Sequence, residues 1–300
     1  MLLSTENKGL RYRVGERRAI EILAQVGFDA IDYTFTPHME IGDMPWTGAN
    51  YREYAKEVKQ IADDNGVFFN QAHGPFIFDF NYLPDLDKQI IPMQALCMEC
   101  CAMLEIKRMV VHPLHDSLYR GENKKRLWDL NVEYYRRLQP YAKEYGVVVS
   151  LENLFDVDKR RGCYVETMFS DANELARFYD DLGDTDHFDV LVDTGHSSIV
   201  GGDAAEDIRR LGHRVKGLHV HDNNYRGDDH LIPYEGTMDW DSIMKALADI
   251  GYEGDLTFEA LHPFAHIDER LLISKARYLH DVGRCLIEKF DEYRREGENS

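Results

Sequence analysis

Histidine and carboxylate side chains are concentrated in one short stretch of the chain, residues 217–236. His219 and His221 stand two residues apart at the end of an apolar run typical of a buried strand, so their side chains share one face. A loop with Asp228 and His230 follows. A single buried histidine is more typical of core packing, but two imidazoles beside carboxylates are costly to bury unless a cation lies between them. The spacing therefore indicates a site for a divalent metal ion.

A second stretch, Asp193-Thr194-Gly195-His196, places a carboxylate and an imidazole three residues apart. Gly195 permits a tight turn, which would bring His196 back towards Asp193. Mixed carboxylate and imidazole ligands suit a borderline-hard divalent ion such as Mn²⁺, Co²⁺ or Mg²⁺, with Zn²⁺ as an alternative. The lack of thiolates among these residues argues against a structural zinc site.

Short apolar runs alternate with helical patterns along the whole chain. We predict eight strands, at residues 1–4, 28–35, 67–73, 108–112, 147–152, 188–193, 215–221 and 255–259, each followed by a helix. This rhythm predicts an α/β fold, a closed parallel (β/α)8 TIM barrel that forms a single domain over residues 1–300. A doubly wound open sheet fits less well because no glycine-rich phosphate loop follows the first strand.

The predicted strand ends carry most of the residues capable of metal binding or acid–base chemistry. In such a barrel the carboxyl ends of the strands meet at one mouth, where active sites form. Six consecutive strands end on residues of this kind: His73, His112, Glu152, Asp193 with His196, His219 with His221, and Glu259. Stability alone gives no reason for this arrangement, so we interpret the mouth as a functional site.

Several of these segments resemble the xylose isomerase-like barrel superfamily, which includes ketose 3-epimerases, sugar-phosphate isomerases, inosose-handling enzymes and endonuclease IV. The segments are Leu151-Glu152-Asn153, the stretch 191–196, Leu218-His219-Val220-His221-Asp222, Asp228-x-His230 with Pro233-x-Glu235-Gly236, and Phe258-Glu259. The resemblance implies one divalent ion, Mn²⁺ first with Mg²⁺, Co²⁺ and Zn²⁺ as alternatives, held by Glu152, Asp193, His219 and Glu259. We align His219 with the family's ligand, rather than His221, because His219 and Asp222 match the family's His-x-x-Asp/Glu spacing.

The resemblance further implies an isomerase or epimerase acting on a sugar or a sugar phosphate. Glu152 and Glu259 would serve as acid and base in a proton transfer through a metal-bound cis-enediolate. Contacts with the substrate are expected from His73, His112, His196, His221, Asp228 and His230. Epimerisation and isomerisation stay open, as do a lyase or dehydratase, a subunit of a glycoside-cleaving complex, and a metal-binding barrel without turnover.

Endonuclease IV offers a competing resemblance, because it holds three zinc ions with nine ligands. Residues of matching type stand here at His73, His112, Glu152, Asp193, His196, His219, Asp228, His230 and Glu259. The formal net charge of −19, from 35 basic and 54 acidic residues, opposes binding to a nucleic acid. We therefore favour sugar chemistry over phosphodiester cleavage.

The remaining sequence signals concern compartment and surface. The chain shows neither a secretion signal nor a membrane span, and its five cysteines suit a reducing cytoplasm. Cys97, Cys100 and Cys101 lie on an apolar helical stripe, so core packing is expected of them. The basic run 159–161 is either a solvated loop or a phosphate grip. Tyr33, Phe35, Trp46, Phe76 and Phe78 either wall a pocket or pack the barrel, and a homo-oligomer is compatible with the sequence.

Overall fold

The computed structural model describes residues 1–35, 46–75 and 86–298. Its strands, in chain order, are β1 (Leu3–Glu6), β2 (Ala30–Thr34), β3 (Phe68–His73), β4 (Arg108–Val110), β5 (Val148–Glu152), β6 (Phe155–Asp158), β7 (Cys163–Glu166), β8 (Phe188–Asp193), β9 (Val215–His219) and β10 (Leu256–Phe258).

The barrel consists of eight parallel strands in the order β10, β1, β2, β3, β4, β5, β8, β9. A parallel bridge between Val220 and Phe258 joins β9 to β10, the last and first strands of this order. Val220 donates its N–H to the carbonyl of Thr257 at 2.9 Å. The sheet therefore closes around a shared interior, which confirms the predicted TIM barrel. All eight strands run the same way, so their carboxyl ends meet at one mouth.

The helices alternate with the strands and cover the outside of the barrel. They are α1 (Lys8–Val14), α2 (Glu16–Val26), α3 (Tyr51–Asp64), α4 (Ile91–Met103), α5 (Gly121–Tyr145), α6 (Ala172–Leu182), α7 (Thr194–Ile199), α8 (Ala204–Leu211), α9 (Trp240–Asp249), α10 (His262–Ala265) and α11 (Leu272–Glu298). Asp171, Asp203 and Asp239 cap α6, α8 and α9 by accepting backbone N–H groups of the first turn. At Gly283, a Cβ would lie 2.4 Å from a methyl carbon of Leu3, so glycine lets α11 lie directly on β1.

Most residues of the barrel strands are buried, because one face of the sheet lines the interior and the other packs against helices. β8 is an almost continuous apolar run, Phe188-Asp189-Val190-Leu191-Val192-Asp193, and every residue of it is buried. Cys97, Cys100 and Cys101 are buried in the hydrophobic core, which confirms that they pack there. Burial raises the pKa of the Cys100 thiol to about 12, so this cysteine does not supply a thiolate near neutral pH.

The bounds of β2, β3, β4, β5, β9 and β10 differ from the predicted ranges by one or two residues, so that His112 and His221 lie just beyond β4 and β9. Three other differences change the structure near the mouth. The first strand covers Leu3–Glu6 rather than residues 1–4, so Glu6 becomes a strand end. A short helix, α7, follows Asp193 directly. The expected loop after Glu152 is an antiparallel hairpin of β6 and β7, in which Gly162 takes a left-handed backbone conformation with φ 64°. Most residues of β6 and β7 are half-exposed, so the two strands lack the alternation of apolar and polar residues that predicts a strand from sequence.

The expectation that Phe76 and Phe78 wall a pocket or pack the barrel stays untested, because both lie outside the residues that the structure describes. Among the described helices, none is long and apolar enough to cross a membrane.

Candidate active site

Four side chains from different strands meet at the mouth of the barrel. Glu152 ends β5, Asp193 ends β8, His219 ends β9 and Glu259 follows β10. Each offers one ligand atom, and these atoms all lie within 4.8 Å of one another. All four residues are buried, with Glu259 the most exposed at 6%. The structure thus brings together the four residues that the resemblance assigns to a metal ion.

His219 is held at both ring nitrogens. Its Nδ1 lies 2.6 Å from Oε1 of Glu152 and 3.7 Å from Oε2 of Glu259. Its Nε2 lies 3.0 Å from Oδ2 of Asp32, which also accepts a hydrogen bond from Nε2 of Gln71 at 3.0 Å. A proton on Nε2, donated to Asp32, leaves Nδ1 directed at the carboxylates, which is the orientation that a ligand histidine needs.

Sequence reasoning missed Asp32 and Gln71. Both lie inside predicted strands, Asp32 on β2 and Gln71 on β3, and both are buried. A charged residue within a run that is otherwise apolar is the one signal that could have revealed Asp32, because an isolated buried carboxylate requires a partner.

Opposite charges within the four-residue cluster stabilise one another. Burial alone would raise the pKa of Glu152, but His219 and His112 hold it well below its ordinary value. Burial would lower the pKa of His219, but Glu152 and Glu259 raise it well above its ordinary value. The imidazole of His219 and the carboxylate of Glu152 therefore favour each other's charged forms.

Asp193 completes the donor set. Burial would raise its pKa, but His196 and His221 lower it to about 2, so the side chain is a carboxylate at neutral pH. Its buried Oδ2 has no hydrogen-bond partner among the described residues. Three carboxylates and an imidazole, with one buried oxygen still lacking a partner, form a donor set that fits a divalent cation of the Mn²⁺ or Mg²⁺ type.

Two further histidines support Glu152 on the side of β3 and β4. His112 lies with Nε2 2.7 Å from Oε2 of Glu152, and Nε2 of His73 lies 3.7 Å from the same oxygen. The ring of His73 is stacked on that of His219, with 5.4 Å between the ring centroids. Burial lowers the pKa of His112 to about 4, so this imidazole is neutral and donates a hydrogen bond to Glu152.

The other predicted substrate contacts form a second group beside Asp193. His221 is stacked on His230, with 4.1 Å between the ring centroids, and its Nε2 lies 3.0 Å from Oδ1 of Asp193. Nε2 of His230 lies 3.0 Å from Oδ2 of Asp228. His196 contacts the backbone carbonyl of Asn153 through Nδ1 at 2.9 Å. All six predicted substrate residues therefore surround the four-residue cluster.

Gly195 has a different role from the expected one. It lies inside α7, and Asp193 caps this helix by accepting the N–H of His196 at 2.7 Å. A Cβ at residue 195 would lie 2.0 Å from Cε1 of His221. Glycine is therefore required here because the His221 ring lies against the backbone of α7, and not because the chain turns sharply.

The hairpin of β6 and β7 borders the site next to His196. The Phe155 ring meets the His196 ring edge-on at 4.9 Å between centroids, and the N–H of Asp228 donates to the hydroxyl of Tyr164 at 3.4 Å. The basic run 159–161 lies exposed at the hairpin tip, where Nε of Arg161 binds Asp158 at 2.6 Å. Part of the basic charge of this run is therefore neutralised within the hairpin.

The early aromatic residues pack into the core. Tyr33, Phe35 and Trp46 are buried, and Nε1 of Trp46 donates to the Tyr33 hydroxyl at 3.1 Å. Tyr33 in turn donates to Glu16 at 2.8 Å. Of the two expectations for these three residues, the structure supports barrel packing.

Comparisons with known proteins agree with this architecture. The family model of the xylose isomerase-like TIM barrel matches residues 20–277. D-psicose 3-epimerase from Ruminiclostridium cellulolyticum is 25% identical over 295 residues, which cover 90% of this chain and 91% of the relative. Inosose isomerase from Bacillus licheniformis is 26% identical over 219 residues, 69% of each chain. The crystal structure of a D-tagatose 3-epimerase-like protein superimposes with a TM-score of 0.74 at 20% identity and covers 97% of this chain and 99% of that one. The chain therefore belongs to the xylose isomerase-like TIM barrel family.

Proposed function

We propose that this protein is a divalent-metal-dependent isomerase or epimerase of a sugar or a sugar phosphate. One observation carries the proposal: Glu152, Asp193, His219 and Glu259 are buried together, with one ligand atom of each within 4.8 Å of the others. Relatives named as D-psicose 3-epimerase, fructoselysine 3-epimerase and inosose isomerase support the reaction class.

These four residues would hold one divalent ion, Mn²⁺ in the first place, with Mg²⁺, Co²⁺ and Zn²⁺ as alternatives. When bound, the ion would polarise the carbonyl group of a ketose and make the neighbouring C–H group acidic. His112 donates a hydrogen bond to Oε2 of Glu152 at 2.7 Å, which favours the carboxylate form that a general base requires. Glu259, from the other side of the mouth, would return a proton to the enediolate of the substrate.

The carbon atom that receives the returning proton determines whether the reaction is an epimerisation or an isomerisation. A proton returned to the opposite face of the same carbon gives an epimer, whereas a proton returned to the neighbouring carbon interconverts an aldose and a ketose. We propose His73, His112, His196, His221, Asp228 and His230 as the polar groups that surround the bound sugar. We also propose one domain over residues 1–300, a cytoplasmic location, no nucleic acid or membrane partner, and a capacity to form homo-oligomers.

A second candidate function is a polynuclear phosphodiesterase of the endonuclease IV type. It is favoured by further groups whose ligand atoms also lie within 4.8 Å of one another: His73 with Glu152 and His219, Asp193 with His196 and His221, and His221 with His230 and Glu259. The formal net charge of −19 argues against it. Elemental analysis separates the two, because about one ion per chain supports sugar chemistry and about three zinc ions per chain support the phosphodiesterase.

Solvent isotope exchange tests the proposed function directly. The metal-loaded protein is incubated in D₂O with D-psicose, D-fructose, D-tagatose and an inosose, and deuterium incorporation at carbon is followed by NMR. Incorporation by the wild type and its loss in Glu152→Gln and Glu259→Gln are expected. Asp189→Asn is the matched control, because this buried carboxylate lies near the start of β8, at the opposite end of the barrel, where it binds Arg108 and Ser150. No incorporation into any of these substrates with metal bound would contradict both epimerisation and isomerisation.

A further inference from the structure

Glu6 lies in a row of three carboxyl groups on neighbouring strands. It is the last residue of β1 and pairs in register with Asp32 of β2. On its other side Thr5 pairs with Phe258 of β10, which places Glu259 next to Glu6. Paired residues of parallel strands point to the same face of the sheet, and Asp32 reaches His219 across the interior. Glu6 therefore faces the inside of the barrel at the mouth.

The carboxyl group of Glu6 is incompletely bonded. Its Oε2 accepts a hydrogen bond from the Thr34 hydroxyl at 3.4 Å. Its Oε1 is buried and has no hydrogen-bond partner among the residues that the structure describes, and the same is true of Oδ1 of Asp32. A buried polar atom without a partner is costly, so such atoms in a functional site indicate a missing partner.

We propose that Glu6 is a substrate-binding residue. Its Oε1 would form a hydrogen bond with a sugar hydroxyl group that lies beside Glu259. This inference rests on the proposed function and narrows its substrate class. The part of the substrate that meets β1 and β2 carries uncharged hydroxyl groups, because the carboxyl groups of Glu6, Asp32 and Glu259 offer no positive charge to hold a phosphate or a carboxylate there. A phosphate group, where present, must lie away from these strands.

The electrostatic surroundings of Glu6 support a neutral, hydroxyl-bearing partner. Burial, followed by the nearby charge of Glu259, raises the pKa of Glu6 to about 8, although Lys8 and His230 lower it. A hydroxyl group both donates and accepts hydrogen bonds. It can therefore bind Glu6 whether or not the carboxyl group carries a proton.

The test compares D-fructose, D-tagatose and D-psicose with their monodeoxy analogues by calorimetric binding to the metal-loaded protein. The wild type should bind the parent ketose about tenfold or more tightly than the analogue that lacks the contacted hydroxyl group. In Glu6→Met, which is close to Glu in length, this difference should vanish, and Glu6→Gln should restore most of it. With active substrates, KM in Glu6→Met should rise for the parent ketose and stay unchanged for that analogue.

The outcomes separate binding by Glu6 from a structural role. An equal loss for the parent ketose and every analogue in Glu6→Met would overturn the inference, as would a wild type that binds none of the three ketoses. Asp189→Asn controls for the loss of a buried carboxylate, and thermal unfolding checks that each variant is folded. Should Glu6→Met fail to fold, Glu6→Leu takes its place. A wild type that binds ketoses with the expected discrimination but exchanges no deuterium refutes the proposed function and leaves the role of Glu6 in binding supported.

Discussion

The two halves of the barrel both place histidines and carboxylates at the mouth, but they use them differently. The second half, β5 to β10, supplies the four residues whose ligand atoms meet, Glu152, Asp193, His219 and Glu259. The polar residues of the first half mostly bind those four: Asp32 contacts His219, and His112 contacts Glu152. Similar residue types at strand ends therefore take different roles, because each role depends on which partner lies across the barrel.

Two buried carboxyl groups show the electrostatic side of this contrast. Asp193, in the second half, has His196 and His221 as neighbours, and these lower its pKa to about 2 despite burial. The pKa of Glu6, in the first half, is raised to about 8 by burial and by the nearby Glu259. Burial is common to both, so the sign of the neighbouring charges decides whether the buried group carries a charge.

The largest expected effect tests the catalytic role of the second half. Glu152→Gln and Glu259→Gln keep the shape of the side chain and remove its basicity, so each should slow deuterium exchange into the ketose by about 10²–10⁴-fold. NMR of the exchanged carbon position is the measurement. Exchange at the wild-type rate in either variant would remove that residue from the reaction and weaken the contrast between the halves.

The second prediction tests whether Asp32, in the first half of the barrel, orients His219 for metal binding. Asp32→Ala removes the group that fixes the orientation of His219, so metal affinity should fall by about 10–100-fold. Competition with a chelator of known affinity gives this value, and Asp189→Ala is the matched loss of a buried carboxylate far from the mouth. Unchanged metal affinity in Asp32→Ala would show that His219 is oriented by other contacts.

A third prediction concerns packing around Asp193. Gly195→Ala places a methyl group on the His221 ring, and overpacking of this kind costs about 1–3 kcal/mol of unfolding free energy. The ring is the obstacle, so the same substitution in a His221→Ala background should cost much less. Urea unfolding of the wild type, Gly195→Ala, His221→Ala and the double variant measures the coupling free energy between the two substitutions. Equal costs in both backgrounds would mean that α7 rejects the methyl group for another reason.

A fourth prediction is a pH dependence at Glu6 in the metal-free protein. The folded state raises the pKa of Glu6 from 4.5 to about 8, so its contribution to stability is present below the unfolded value and is lost as pH rises through the folded one. Gln does not titrate. Glu6→Gln should therefore gain at least about 1 kcal/mol of unfolding free energy over the wild type as pH rises from about 4 to about 9. A constant difference between the two proteins, measured by urea unfolding across this range, would contradict the raised pKa.

Much of the barrel could be predicted because its signals are local. An apolar run, a polar stop and an amphipathic helix recur along the chain, and parallel strands in this order place their carboxyl ends at one mouth. Residues at clear strand ends, such as Glu152 and Asp193, were therefore recognisable. Glu6 is not recognisable in this way, because the first strand is short and the apolar pattern predicts its end at residue 4, two residues before Glu6.

The alternation of strands and helices, and the residue types at the strand ends, follow from the order of amino acids along the chain. The contacts among these residues follow from the folded barrel: Asp32 fixes His219, Gly195 makes room for His221, and Glu6 stands between two carboxyl groups. Periodicity describes how each segment buries its own faces, whereas these contacts join residues that are distant in sequence. Closure of the sheet brings those residues together, and their distances then set the charge of each one.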